Sequence, residues 1–96
     1  MSQSNMMFLH GLEGTSQGVK ANLLRGLFPE ILIPDFSGDL ETRMTALEKI
    51  LGAQRGWILI GSSFGGLMAA LFACQHPEQV HRLILLALKP ADPPPE

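Results

Sequence analysis

Trp57-Ile58-Leu59-Ile60-Gly61-Ser62-Ser63-Phe64-Gly65-Gly66-Leu67-Met68 is the stretch that decides the fold. Its first four residues are a short apolar run rich in β-formers, the composition of a buried strand. From Phe64 to Gln75 the chain is apolar nearly all round, long enough for a helix and free of proline, so a well-buried helix is expected there. Between the two runs stands Gly61-Ser62-Ser63-Phe64-Gly65, a G-x-S-x-G pentapeptide. In a strand-turn-helix context this pattern reads as a nucleophile elbow, a sharp turn that lifts one serine hydroxyl above the sheet. The blander reading is that Gly61 and Gly65 only let a helix pack closely on a strand.

Outward from that turn, strands and helices alternate. Met6 to Leu9 reads as a buried strand, and His10 to Ser16 as a glycine-containing loop with Ser16 as a helix N-cap. A helix is expected over 17–28, where Val19, Leu23 and Leu27 recur every four residues, and Pro29 ends it. Ile31-Leu32-Ile33 reads as the second strand, closed by Pro34. Asp39 can cap a helix over 40–51 whose stripe is Leu40, Met44, Leu47 and Leu51, with Gly52 as its stop. After the third strand and third helix, Arg82 to Leu88 reads as a fourth strand. The pattern β-α-β-α-β-α-β, with unbroken apolar strands, predicts an α/β protein: a three-layer α/β/α core around a four-stranded parallel sheet of order 2-1-3-4. The core is expected over 1–88, with 89–96 a proline-rich tail.

A chain of 96 residues holds one domain at most, and 46% hydrophobic against 17% charged residues fits a folded domain rather than a disordered segment. The net charge of −2 and the scattered Lys and Arg give no footprint for nucleic acid. Cys74 is the one cysteine, so no intrachain disulfide can form; it reads as a small buried hydrophobe, and a reducing, cytoplasmic setting is expected. The N-terminal segment has no basic region and no apolar run of signal or membrane-spanning length. No metal or cofactor site is suggested: His76 and His81 lack a third ligand. Gly11 to Lys20 is a glycine-rich loop leading to a helix, but it lacks the P-loop ending and the dinucleotide spacing, and Glu13 would repel a phosphate.

In a parallel sheet the chemistry gathers at the carboxyl ends of the strands, where strand order reverses. The loops 10–14 and 61–65 should therefore meet. Acyl transfer needs a nucleophile, a base and donors for the oxyanion. Ser63 would be the nucleophile, and the backbone N–H groups of Leu12 and Phe64 would be the donors. The sequence Phe8-Leu9-His10-Gly11, then the elbow, then Arg82-Leu83-Ile84-Leu85-Leu86-Ala87, resembles the front half of an α/β-hydrolase, in particular the small single-domain bacterial esterases. That resemblance covers the chain up to about Leu88. It implies Ser63 as nucleophile, an oxyanion hole at Leu12 and Phe64, a small-molecule acyl substrate, and an acid and a histidine later in the chain.

Here the sequence departs from the family. After Ser63 the histidines are His76 and His81 and the acids are Glu78, Asp92 and Glu96. Glu78 and His81 keep the order acid then histidine, but a helix of about twelve residues carries the chain roughly 18 Å away from Ser63 before they occur. They are rejected as triad members. His10, on the correct edge, is expected to hold the oxyanion loop, with a base role as the alternative; Asp92 is a candidate acid without a partner histidine; Asp35, also on that edge, reads as structural. The expectation is a serine hydrolase that is weak or inactive alone, a truncated product, or one that self-associates through the bare edge 82–88. The alternative is a non-catalytic, degenerate hydrolase module that binds a ligand or a partner.

Overall fold

A computed structural model describes residues 5–11 and 16–86. The strands are β1 (Asn5–Leu9), β2 (Trp57–Ser62) and β3 (Val80–Leu86); the helices are α1 (Val19–Leu27), α2 (Leu40–Leu51) and α3 (Phe64–Gln75), with one 3-10 turn at Pro77–Gln79. The sheet is parallel throughout, in the order β1-β2-β3. Among the described residues it has three strands, not the four expected. Ile31-Leu32-Ile33 does run beside β1, but it makes only one parallel bridge, Met7 to Leu32. Phe8 N donates to Leu32 O and Leu32 N to Met6 O, both at 2.9 Å. Pro34 has no N–H to continue that ladder and Pro29 stands two residues before Ile31, so the four residues between the prolines do not become a full strand. The four-stranded order 2-1-3-4 is therefore replaced by three strands with one bridged segment.

Alternation along the strands builds a core on each face. Met7, Leu9, Trp57 and Leu59 pack with Leu47 and Leu51 of α2 and with Met68, Ala69 and Phe72 of α3. Phe8 and Ile60 point the other way, against Ala21 of α1 and Ile31. Helices thus cover both faces. Asp39 caps α2 by accepting from the Thr42 N–H at 2.9 Å, and Gly52 closes it at φ 56°. Leu47 and Leu51 are buried and Leu40 and Met44 pack beside them, as the stripe requires.

Helix α1 differs from expectation. It begins at Val19, not Gln17, and its N-cap is Gly18, without a side-chain cap bond. Ser16 instead bonds Asp35 across the chain. The four-residue period in Val19, Leu23 and Leu27 marks a helix, but that stripe faces outward, at 87%, 63% and 62% exposure, while Ala21 packs on the sheet. The small Ala21 lets the helix approach closely, and Leu24 lies beside it. Cys74 is exposed rather than buried. The last strand runs over 80–86; residues 87 and 88, and the tail 89–96, lie outside the described residues. Among the described residues, no helix is long and apolar enough to cross a membrane.

Candidate active site

At the carboxyl end of β2 the chain reverses into α3 within one residue. That residue is Ser63, with φ 60° and ψ −126°, the single non-glycine at positive φ among the described residues. A serine held there costs on the order of 1–3 kcal/mol unless its surroundings hold it in place. Two glycines show what does. A Cβ on Gly65 would run into the backbone carbonyl of Leu9, so the first turn of α3 lies directly on the end of β1. A Cβ on Gly11 would lie 2.8 Å from Ser63 Cβ and 3.2 Å from Ser63 Oγ, so the loop after β1 passes against the serine itself. The register Leu9 to Gly61 sets up this meeting, because the residues that follow each strand emerge side by side. Of the two loops expected to meet, the described part of the first, His10-Gly11, does lie against the Ser63 turn; residues 12–14 lie outside the described residues.

Ser63 is exposed, while Ser62 and Gly61 are buried. Phe64 opens α3, so its N–H has no acceptor within the helix and stands at the positive end of the helix dipole. Ser63 O accepts from Gly66 N at 2.9 Å and Leu67 N at 3.3 Å, which fixes the turn. Leu12, the other expected donor, lies outside the described residues, as does Asp92.

His10 is 3% exposed and sits at the start of the loop that reaches Ser63. The Phe36 N–H donates to His10 Nε2 at 3.2 Å. With Nε2 accepting, the hydrogen resides on Nδ1, which donates to Gly11 O at 2.8 Å. Both ring nitrogens are therefore engaged within the protein. The next residue upstream of Phe36 grips the far end of the same loop: Asp35 accepts from Ser16 N at 2.6 Å and from Ser16 Oγ at 2.8 Å. The bonds from Ser16 hold the Asp35 carboxyl below its ordinary 3.8, the hydroxyl bond first and the amide bond second, although the side chain is 65% exposed. The pair Asp35-Phe36 thus tethers both ends of the loop between β1 and α1.

Two further side chains reach the turn, neither singled out from the sequence. Lys20 Nζ donates to the buried Ser62 Oγ at 2.9 Å. Arg43, 5% exposed, lays its guanidinium over the Phe64 ring, 5.3 Å from the centroid, and its Nε donates to Gly38 O at 2.8 Å. Its Nη1 is buried without a hydrogen-bond partner among the described residues. Arg43 had a legible signal: it falls three residues after Leu40 and four before Leu47, a charge on the apolar stripe of α2. Lys20 had none.

Glu78 and His81 lie beyond the twelve-residue α3, on the 3-10 turn and at the start of β3. His76 beside them faces Glu48 at 3.8 Å and Glu78 at 4.0 Å. A surface depression of about 490 Å³ on α2 is lined by Glu41, Thr42, Thr45, Ala46 and Lys49 and includes no residue of the Ser63 turn.

Residues 33–96 match the family model of the alpha/beta hydrolase fold. The chain is 33% identical over 102 residues to the biotin biosynthesis bifunctional protein BioHC of Teredinibacter turnerae, a match covering 93% of this chain and 18% of that protein. A probable 1-acylglycerol-3-phosphate O-acyltransferase of Oryza sativa subsp. japonica is 60% identical over 30 residues, 31% of this chain and 7% of its own length. Among solved structures, the alpha/beta hydrolase domain-containing protein 10 from mouse superposes with a TM-score of 0.73 at 22% identity, over 91% of this chain and 40% of that one. The chain thus spans less than half the length of each of these proteins.

Proposed function

Because the chain belongs to the alpha/beta hydrolase fold family, we propose that it carries the nucleophile and oxyanion half of a serine hydrolase acting on a carboxylic ester or related acyl substrate. Ser63 Oγ attacks the carbonyl carbon and forms a C–O bond. The carbonyl π electrons move to the oxygen, and the hydroxyl proton leaves to a base. When the tetrahedral intermediate collapses, the alcohol departs with that proton, and water later releases the acid by the same route. The developing oxyanion is met by the Phe64 N–H and by Leu12 N–H from the facing loop. One such donor contributes about 3 kcal/mol to the transition state.

The observation that carries this reading is Ser63 itself: a serine at φ 60° on a strand-to-helix turn, with the Gly11 loop packed against its side chain. The rice relative's printed activity, an O-acyl transfer, is chemistry that a serine acyl intermediate performs. The base is the incomplete part. His10 has both nitrogens engaged, and the His76 end of α3 is roughly 18 Å along the helix from Ser63. None of the three histidines of this sequence, His10, His76 and His81, is therefore placed to take the Ser63 proton, and turnover by this chain alone is weak. That same engagement of His10 favours the second reading, a non-catalytic module that binds through the old site. A fluorophosphonate probe separates the two. Labelling that disappears in Ser63→Ala supports an activated nucleophile; a protein that is folded by circular dichroism yet unlabelled after prolonged exposure supports the binding module.

A further inference from the structure

Both residues that flank Ser63 in the sequence are touched by a cation, one from each face of the sheet. On the α1 face, Lys20 Nζ meets Ser62 Oγ at 2.9 Å. On the α2 face, the Arg43 guanidinium lies 5.3 Å over the Phe64 ring. Neither charge is neutralised by a carboxylate among the described residues. Asp35 is taken by Ser16, Asp39 by the start of α2, and Glu48 faces His76. Arg43 is the more telling of the two: it is 5% exposed, its Nε donates to Gly38 O, and its buried Nη1 has no hydrogen-bond partner among the described residues. A buried guanidinium without a counter-charge is disfavoured by desolvation, and a packed hydrophobe of like volume would serve the fold as well. An unsatisfied buried cation against the residue after the candidate nucleophile calls for a negative charge that arrives with the substrate.

We infer that the Ser63 site selects esters bearing an anionic group, a carboxylate or a phosphate, a few atoms from the scissile carbonyl. The inference rests on Ser63 as the reacting residue. Lys20 is the contact: it is exposed, reaches the turn through Ser62, and keeps two ammonium N–H donors beyond the one Ser62 accepts. Arg43 is a positioning residue that acts through Phe64. Its charge, nearly sealed from water, is screened less than that of Lys20 and adds a field of the same sign from over the Phe64 ring. A neutral ester gains nothing from either charge while bound; its carbonyl profits only as the oxyanion forms. An anionic ester gains on binding as well.

The test compares monomethyl glutarate, methyl 4-phosphonobutanoate and the neutral dimethyl glutarate, each titrated into the full chain while the backbone amide resonances of residues 62–65 are followed. The two anions should shift those resonances at concentrations about tenfold or more below the diester, a ratio set by one close charge contact. Whichever anion binds more tightly identifies the carboxylate or the phosphate as the natural group. Lys20→Gln, a change at an exposed position, should bring the charged-to-neutral ratio close to one, and Lys20→Arg should keep it. Equal binding of diester and monoester, no shift with any of the three, or a preference that survives Lys20→Gln would overturn the inference. Fluorophosphonate labelling on the same samples keeps the two claims apart. Labelled Ser63 without charge preference removes the substrate class and keeps the hydrolase. Charge preference without labelling keeps the anion site and removes the activated nucleophile.

Discussion

The two outer edges of the sheet are made of the same kind of residue and are treated in opposite ways. At the β1 edge, Leu32 bonds both Met6 and Phe8, and the chain continues into Asp35-Phe36, which tethers the loop facing Ser63. At the β3 edge, Leu83, Ile84 and Leu85 are 38%, 41% and 55% exposed, and no described segment lies on the side away from β2. One edge is capped and built into the site; the other is an apolar strand whose outward ladder groups have no partner among the described residues. The difference teaches where the described half of the site gets its rigidity. The loop contacts that press on Ser63 come from the β1 side and the helices, while β3 supports the strand beneath it through the Gly61–Leu85 and Ser62–Leu86 pairs. Whatever completes the chemistry has the β3 side open to it.

The largest test of the β1 side is Gly65→Ala. The added methyl has nowhere to go, because the atoms it meets are the Leu9 and His10 backbone rather than a flexible side-chain end. A loss of about 3 kcal/mol or more is expected, the range in which strain and overpacking at a fixed backbone fall. Urea unfolding monitored by Trp57, which is buried in the α2–α3 core, measures it. A loss under 1 kcal/mol would mean that α3 does not lie on β1 as closely as the structure has it.

Next comes Leu32→Pro. It deletes the N–H that Met6 accepts and so removes half of the β1 cap. A cost of about 2 kcal/mol is expected, from one lost backbone bond and the carbonyl of the half-buried Met6 left without its donor. Fluorophosphonate labelling of Ser63 should slow as well, because Asp35 and Phe36 lie only a few residues downstream. Unchanged labelling in a destabilised protein would uncouple the edge from the site.

On the other edge, Leu85→Lys reverses the expectation. The position is already more than half exposed, so stability should move by no more than about 0.5 kcal/mol. If the bare strand pairs with a second copy of the chain, the lysine should abolish that pairing, since an edge charge is the usual device against it. Light scattering on the parent chain and the variant reads this directly. A chain that is monomeric without the lysine would show that β3 does not recruit its own copy.

The same contrast explains how much could be read from the sequence. Helices α2 and α3 were legible to the residue, because Asp39, Gly52 and the change of composition at Ser63 mark their ends. The tight strand-to-helix turn at Ser63 was legible because its whole pattern is local. Ile31-Leu32-Ile33 was not, because its composition says strand while its flanking prolines limit it to a single bridge. In α1 the period was right and the buried face was wrong: spacing identifies a helix, but only packing chooses between the Leu23 face and the Ala21 face. The tethers of the site were illegible for a related reason. Lys20 and Ser62 are 42 residues apart, and His10 and Phe36 are 26 apart. Bonds of that span are set by which strands lie side by side, and no local pattern announces them.

The smallest expected effect is also the most specific. Asp35 holds Ser16 through two bonds that lower its carboxyl below 3.8, so the folded protein binds that proton less readily than the unfolded chain does. The tether is therefore complete above 3.8 and is released only as the pH falls through the lower folded-state value, when the carboxyl protonates in the folded protein. Asp35→Asn removes the charge but keeps one acceptor oxygen for Ser16. At neutral pH the variant should fold normally and show faster hydrogen exchange at the Ser16 amide, with little change at the Asn22 amide, which bonds Gly18 O within α1. At a pH below the folded-state value, which lies under 3.8, the parent chain should converge on the variant at Ser16 while the two remain alike at Asn22. If the parent amide keeps its protection below that pH, or the variant matches the parent above it, the carboxylate is not what ties this loop to the capped edge.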